Sequence, residues 1–378
     1  MRRPRVLHII ETLVPAGAEH CMMNICKALK DRYEPFIAAF YGGALEEKIG
    51  NAGIPVTKMR PVKLHSQDDK SLLGLWRRFD FCRKAIRELR PDLVHTHMDY
   101  ANVLGGMAAH RQGVPTVRHI HGVEGKSGTL LYRILYNLTQ NRQTQLLAVS
   151  DGLSRVFRDA TGLTPMTLYN AVDESWFRSE NIPQRDMRDE LGLPPDTFLV
   201  GTVGRLVNAK NYPAVLRCAQ RVCGEAKDVH FLAAGDGPLL DEMVAQADSM
   251  GLGQRVHFLG LRDDVPRILR DIDVFLLMSH GEGFGLVLVE AMWMRRPIVA
   301  TNVRGINEVL TDGVEGFLVP PDDDEMAAQR VAELCDHPEL RTQMGEAGYA
   351  TATTRFSSSA LASSLAQVYD QLLTATPR

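Results

Sequence analysis

Short apolar runs separated by helix-length amphipathic stretches recur twice along this 378-residue chain, and that double alternation restricts the fold more than any single motif does. The first set of runs is 6–10, 36–40, 54–58, 93–96, 116–119 and 146–149. The second is 198–203, 229–234, 256–259, 274–278, 297–300 and 317–319. Strands set between helices predict parallel sheets covered on both faces. The chain is therefore expected to be α/β, with one sheet in each half, and 45% apolar residues suffice for two cores. The charged stretch 173–196, with Pro183, Pro194 and Pro195, marks the expected boundary. Acids at 322–324 and serines at 357–359 read as helix starts, the latter opening a last helix to about Leu373.

Open α/β sheets bind ligands at the carboxyl ends of their strands, and the chemistry-bearing residues fall there. Gly17 follows the first run, His97 the fourth, His121 the fifth, Arg205 the seventh, Gly235 the eighth and Glu282 the tenth. Around the last of these runs Glu282-Gly283-Phe284-Gly285-Leu286, with Gly281 before it and Glu290 beyond. The apolar spacing of 286–294, closed by Pro297, predicts a helix, so these glycines occupy a strand-to-helix turn. Such a turn lets a ligand approach backbone, and the helix start offers N–H groups to a phosphate. Carboxylates repel phosphate, so Glu282 and Glu290 are better suited to accept hydrogen bonds from hydroxyls of a sugar or ribose. Gly204-Arg205, then Asn208 and Lys210, supply the cations. A guanidinium can fork onto two oxygens of a diphosphate while an ammonium adds a point charge. The alternatives are a turn acid, a helix-surface acid and a solvated pair of loop cations. Glu308, after Asn302-Val303-Arg304-Gly305, reads equally as a helix-cap acid or as a ligand contact.

Composition narrows the context. The basic start Met1-Arg2-Arg3-Pro4-Arg5 precedes only a strand-length apolar run broken by Glu11, so neither a signal peptide nor a membrane span is expected, and the cytoplasm is the default location. Six cysteines (Cys21, Cys26, Cys82, Cys218, Cys223 and Cys335) lack any Cys-x-x-Cys spacing and read as reduced core thiols. His95 with His97, and His119 with His121, share strand faces at i, i+2 spacing. A metal pair and turn histidines bonded to backbone are both open, but no matching cysteine or acidic cluster accompanies them, and no metal is expected. Net charge is −3, yet residues 1–165 hold 24 Lys and Arg against 15 Asp and Glu, leaving the excess of acids to the rest. The basic half would suit an anionic lipid surface, or else Arg77, Arg78, Arg83, Lys84, Arg87 and Arg90 form a solvated helix face. No nucleic-acid partner is expected.

The Gly204-Arg205…Lys210 and Glu282-x7-Glu290 patterns resemble the retaining glycosyltransferases of family GT4, and the resemblance extends over nearly the whole chain. Pro15-Ala16-Gly17-Ala18-Glu19 is similar to the family's glycine-rich first loop, with Ala16 where many relatives have a second glycine. His119-Ile120-His121-Gly122 is similar to the segment whose histidine lies near the transferred sugar, His121 being the better match. Tyr169-Asn170-Ala171-Val172-Asp173 resembles the interdomain segment, and Gly235-Asp236-Gly237-Pro238 a further family turn.

The resemblance implies the GT-B fold, two Rossmann-like α/β/α domains facing each other across a cleft, with the last helix crossing back to the first domain. The division it implies is 1–170 with 357–378 for the acceptor, a linker at 171–196, and 197–356 for the donor. It implies transfer of a sugar, with retention and without a metal or other cofactor, from a nucleotide-diphosphate sugar to a hydroxyl of a glycan or lipid-phosphate-linked acceptor. UDP is the first expectation, and bacterial polysaccharide or glycoconjugate assembly is the expected context. Arg205 and Lys210 would hold the diphosphate, Glu290 the ribose, and Glu282 with the Phe284-Gly285 backbone the sugar, with Gly235 and Asp236 near the base end and Gly204, Gly283 and Leu286 as further donor-binding residues. Gly17, Glu19 and His97 would serve the acceptor and His121 the transferred sugar. A peripheral contact with the inner face of an anionic membrane would suit such an acceptor. A nucleotide-sugar 2-epimerase on the same fold, or a non-catalytic nucleotide-sugar-binding scaffold, are the other readings.

Overall fold

A computed structural model describes residues 2–59, 71–122, 130–224 and 228–375. Contacts gather the chain into two units, Met1–Ala171 with Ser358–Arg378, and Val172–Ser357.

In the first unit β1 (Arg5–Ile10), β2 (Glu34–Ala39), β3 (Val56–Lys58), β4 (Leu93–His97), β5 (Thr116–Ile120), β6 (Thr144–Ala148) and β7 (Met166–Thr167) form one sheet in the order β3-β2-β1-β4-β5-β6-β7. Neighbours pair in parallel throughout. Alternate residues of each strand point to opposite faces. Val6, Leu93 and Val117 pack beneath the helices Gly17–Leu29 and Ser358–Thr374, against Cys21, Ile25, Leu365 and Tyr369. Leu7, Ile9 and Val94 face the other way, towards Cys82, Ala85 and Ile86 of the helix Leu72–Leu89. The last helix thus folds with the first unit and closes one face of its sheet. The same two-residue period carries His8, His95, His97 and His119 onto the face of Val6, Leu93 and Val117. Five imidazoles accordingly line a region that apolar side chains would ordinarily fill, His121 extending the row past the end of β5.

The second unit repeats the plan with β8 (Phe198–Val203), β9 (Val229–Ala234), β10 (Val256–Gly260), β11 (Val274–Leu277), β12 (Ile298–Thr301) and β13 (Gly316–Val319), in the order β10-β9-β8-β11-β12-β13. All its pairings are parallel as well. Both sheets are doubly wound: the strand order reverses between β1 and β4 in one, and between β8 and β11 in the other, which opens a crevice at the carboxyl ends there. Its core joins Val200, Phe231, Val274 and Val299 to Leu216 and Val331 from flanking helices. The acidic run at 322–324 does start a helix, Asp324–Asp336, where Asp323 accepts a hydrogen bond from Met326 N at 2.9 Å.

The stretch expected as a linker is ordered onto the second unit. A short helix, Met187–Leu191, buries Met187 completely, and Asp271 accepts from Met187 N at 2.8 Å. Arg188 donates to Asp273 at 2.7 Å and to the carbonyls of Thr197 and Asp271, both at 2.8 Å. The charges in this segment are therefore internal ties as well as solubilising groups, which composition alone does not distinguish.

Candidate active site

The second unit assembles one group of the expected residues at its switch point. Lys210 follows β8, and its ammonium donates to Glu282 Oε1, beyond β11, at 2.6 Å. The Ser279 hydroxyl donates to the same oxygen at 2.6 Å. The pair is largely enclosed, with side-chain exposures of 21% and 12%. Glu282 is fixed by backbone too, since its N–H donates to Arg304 O at 3.1 Å. Gly305 makes that approach feasible: its φ is +84°, and a Cβ there would lie 2.5 Å from Glu282 O.

Arg205 is exposed at the end of β8, on a turn that crosses the end of β9. The crossing is close. A Cβ on Gly235, whose φ is +146°, would come within 1.9 Å of Gly204 O. Gly204 N donates to Ala234 O at 2.9 Å and Leu206 N to Asp236 O at 3.0 Å, locking the two turns together. Asp236 is exposed and accepts from Gly237 N at 2.7 Å. Gly285 precedes the helix Leu286–Trp293, and Gly283 and Leu286 are half-buried. Phe284 turns inward at 3% exposure, its ring edge-on to Phe356 at 5.4 Å, which leaves backbone rather than ring for a ligand. Glu290 is 9% exposed on that helix, and burial pushes its carboxyl up to about 7. Glu308 lies in the first turn of the helix Ile306–Val309, half-buried.

The residues expected to serve the acceptor divide in the first unit. Gly17 opens the Gly17–Leu29 helix in free space, with nothing within 4 Å of an added Cβ. Glu19 is 1% exposed and accepts from the Thr12 hydroxyl at 2.5 Å, so it acts on the loop from inside. His97 is fully buried, whereas His121 is half-buried at the end of the histidine row. His97 joins two neighbours: Nε2 is 3.1 Å from His8 Nδ1, and Nδ1 is 3.1 Å from His121 Nε2. Burial pulls His8 and His121 down to about 3, and holds His95, His97 and His119 well below the usual imidazole range. The row is neutral at pH 7, so each ring has one donor and one acceptor and the two contacts run in one direction.

The family model described as "Glycosyltransferase Family 4" matches residues 15–176, and the one described as "Glycosyl transferases group 1" matches 183–351. The chain belongs to glycosyltransferase family 4. An Escherichia coli relative, UDP-Gal:alpha-D-GlcNAc-diphosphoundecaprenol alpha-1,3-galactosyltransferase, is 29% identical over 283 residues, covering 71% of each chain. N-acetyl-alpha-D-glucosaminyl L-malate synthase of Bacillus anthracis is 26% identical over 75% of each. HepE of Anabaena, solved in complex with UDP and glucose, superposes with a TM-score of 0.83 at 24% identity over 97% of this chain and all of that one. The fold is GT-B.

In this glycosyltransferase some residues of the two sites were not anticipated from sequence. Ser279 holds Glu282, and its only signal was its place just past β11. His8 appeared as one polar residue in an apolar run. Glu11, at the end of β1, accepts from Tyr100 N at 2.6 Å, and burial pushes its carboxyl up to about 7, with Asp99 adding to the rise. In the sequence its break in the apolar run spoke only against a signal peptide or a membrane span. Among the described residues no helix is long and apolar enough to cross a membrane.

Proposed function

We propose that the chain transfers a sugar, with retention of anomeric configuration, from a UDP-sugar to a hydroxyl of a lipid-diphosphate-linked glycan in bacterial glycoconjugate assembly. The observation that carries this reading is the grouping of Arg205, Lys210 and Glu282 at the switch point of the second sheet, beside the Gly204–Gly235 crossing. Arg205 and Lys210 neutralise the diphosphate as it leaves, so a metal is not required for that task. Lys210 already has a carboxylate partner, so an arriving diphosphate shares the ammonium while Glu282 turns to a sugar hydroxyl. Glu290 accepts from the ribose hydroxyls, and Asp236 and Gly235 lie towards the base.

In the transfer step a bond forms between the acceptor oxygen and the anomeric carbon as the bond from that carbon to the β-phosphate oxygen breaks on the same face. The acceptor hydroxyl proton passes to the departing diphosphate. His121 serves the transferred sugar and Gly17 the acceptor loop. UDP and a diphosphoundecaprenol acceptor are named for the E. coli relative, and UDP and glucose were bound by the Anabaena protein, which supports the substrate class.

Peripheral contact with a bilayer suits such an acceptor. Along the Leu72–Leu89 helix, Leu72, Leu73 and Trp76 are 86%, 55% and 60% exposed, on the same arc as exposed Arg77 and Arg87 and as Arg83 and Lys84, which pair with Asp80 at 2.6 and 2.9 Å. That arc pairs apolar insertion with attraction to anionic headgroups.

The test is incubation with UDP-galactose, UDP-glucose and UDP-N-acetylglucosamine and an undecaprenyl-diphosphate-linked sugar, with proton NMR of the product. An α-linked product from an α-linked donor supports the reading. An inverted linkage, or release of an altered sugar from donor alone, overturns it.

A further inference from the structure

The histidine row of the first unit contains more than the transfer reaction uses. His8, His95 and His97 each bring a ring nitrogen within 4.8 Å of one from both others. They are 2%, 0% and 0% exposed. His8 on β1 and His95 on β4 are register partners, and their rings lie 5.2 Å apart. The 3.1 Å between His8 Nδ1 and His97 Nε2 is close to the roughly 3.4 Å that separates two nitrogens of a tetrahedral zinc centre with about 2.0–2.1 Å bonds.

His95 supplies the third ring, stacked on His97 with 4.2 Å between centroids. Its Nδ1 lies 2.7 Å from the Tyr369 hydroxyl, and its Nε2 has no hydrogen-bond partner among the described residues. A buried ring nitrogen with nothing to bond calls for a physical explanation, and an ion is one. The far nitrogens of two of the rings are held by neighbours, His95 by Tyr369 and His97 by His121. That is how imidazole ligands are oriented around metals.

We propose that His8, His95 and His97 form a three-imidazole site for a late first-row transition-metal ion of the zinc type. Three nitrogen donors without a carboxylate disfavour magnesium and calcium, which take oxygen, and favour ions that accept imidazole. A dication in this interior calls for an anion at the fourth position, and hydroxide from a metal-bound water supplies one. The ion is enclosed, so it enters as the unit folds. With His97 Nε2 on the metal, the ring proton is confined to Nδ1 and donates to His121 Nε2. His121 then keeps its own proton on Nδ1. The ion thereby sets which edge of His121 donates, a consequence that rests on the proposed transfer, whereas the binding itself does not.

A neighbouring trio, Cys21, His119 and His121, offers the competing location, with a thiol and with both His119 nitrogens lacking partners among the described residues. The His230–His257 stack, 5.2 Å between rings, is a decoy elsewhere.

The experiment uses the full chain, stripped with a chelator, reloaded with zinc, dialysed, and analysed for metal content and by X-ray absorption at the zinc edge. One zinc per chain is expected, with a shell of nitrogen and oxygen only at about 2.0–2.1 Å. His95→Gln loses it; Cys21→Ser and His257→Ala keep it. The absorption spectrum of the wild type decides even if His95→Gln does not fold. No retained zinc overturns the site. A sulfur neighbour at about 2.3 Å, or retention by folded His95→Gln, overturns the three-imidazole assignment. None of these readouts needs donor or acceptor, so failure here is distinct from failure of the transfer reading.

Discussion

Lys210 and Glu282 are 72 residues apart in sequence, and their charged atoms are 2.6 Å apart in the second unit. Both the ammonium and the Ser279 hydroxyl are bonded to Glu282 Oε1, so the carboxylate is presented in one orientation, and the proposed sugar contact falls to Oε2.

Replacing Glu282 with Ala should lower kcat by about 100-fold or more, the usual cost of removing a pre-placed transition-state contact, while nucleotide affinity stays near wild type. Arg205→Ala should weaken nucleotide binding and transfer together. Steady-state kinetics alongside calorimetric nucleotide titration separates the two, and equal activity in both variants contradicts the site.

Gly235→Ala places a methyl 1.9 Å from Gly204 O, so one of the two crossing turns has to move. The second unit should lose about 1–3 kcal/mol and the Arg205 turn its position. Gly17→Ala meets nothing within 4 Å and should leave stability near wild type. Denaturant unfolding of both variants measures the contrast.

Glu290 makes a pH-dependent contribution of definite sign. Its carboxyl is raised from 4.5 to about 7, so the folded chain binds this proton more tightly than the unfolded one. The stabilisation is complete below about 4.5 and is lost as pH rises through about 7, roughly 3 kcal/mol in all. Glu290→Gln should remove that slope, read as the wild-type minus variant unfolding free energy across the interval. Glu11 titrates similarly in both proteins and cancels. If ribose hydroxyls donate to Glu290, wild-type nucleotide affinity also rises with pH through about 7 and the variant's does not.

Arg188→Ala should destabilise the second unit by about 3 kcal/mol, because Asp273 would be left partly buried without its partner at 2.7 Å. A transition that shifts only in probes of the second unit confirms that 183–192 folds with it.

The two sheets were legible from alternation alone, because each strand needs an apolar run and each crossover needs a helix. β7 escaped: two residues at an edge leave no periodic trace. Lys210 and Glu282 were each visible as polar residues after a strand, but their pairing depends on β8 and β11 being neighbours at the switch point, a property of strand order. Resemblance and position suggest Glu19 and His97 as acceptor contacts; His97 is buried because the Gly17–Leu29 and Ser358–Thr374 helices cover its face of the sheet, and Glu19 because it turns inward from the first of those helices onto Thr12. The role of 173–196 was hidden for a related reason. Prolines and charges mark solvent-exposed linkers and salt-bridged surface segments alike, and partners far along the chain, Arg262, Arg267, Asp271 and Asp273 among them, show which this is.

The central claim is that the second unit holds a nucleoside diphosphate through Arg205 and Lys210. Calorimetric titration of wild type, Arg205→Ala and Glu282→Ala with UDP, GDP and ADP tests it directly. The account predicts binding of UDP by wild type, retention in Glu282→Ala, and about tenfold or greater weakening in Arg205→Ala, the loss of about 1.4 kcal/mol or more. Absence of binding for all three nucleotides, or equal affinity in wild type and Arg205→Ala, contradicts it.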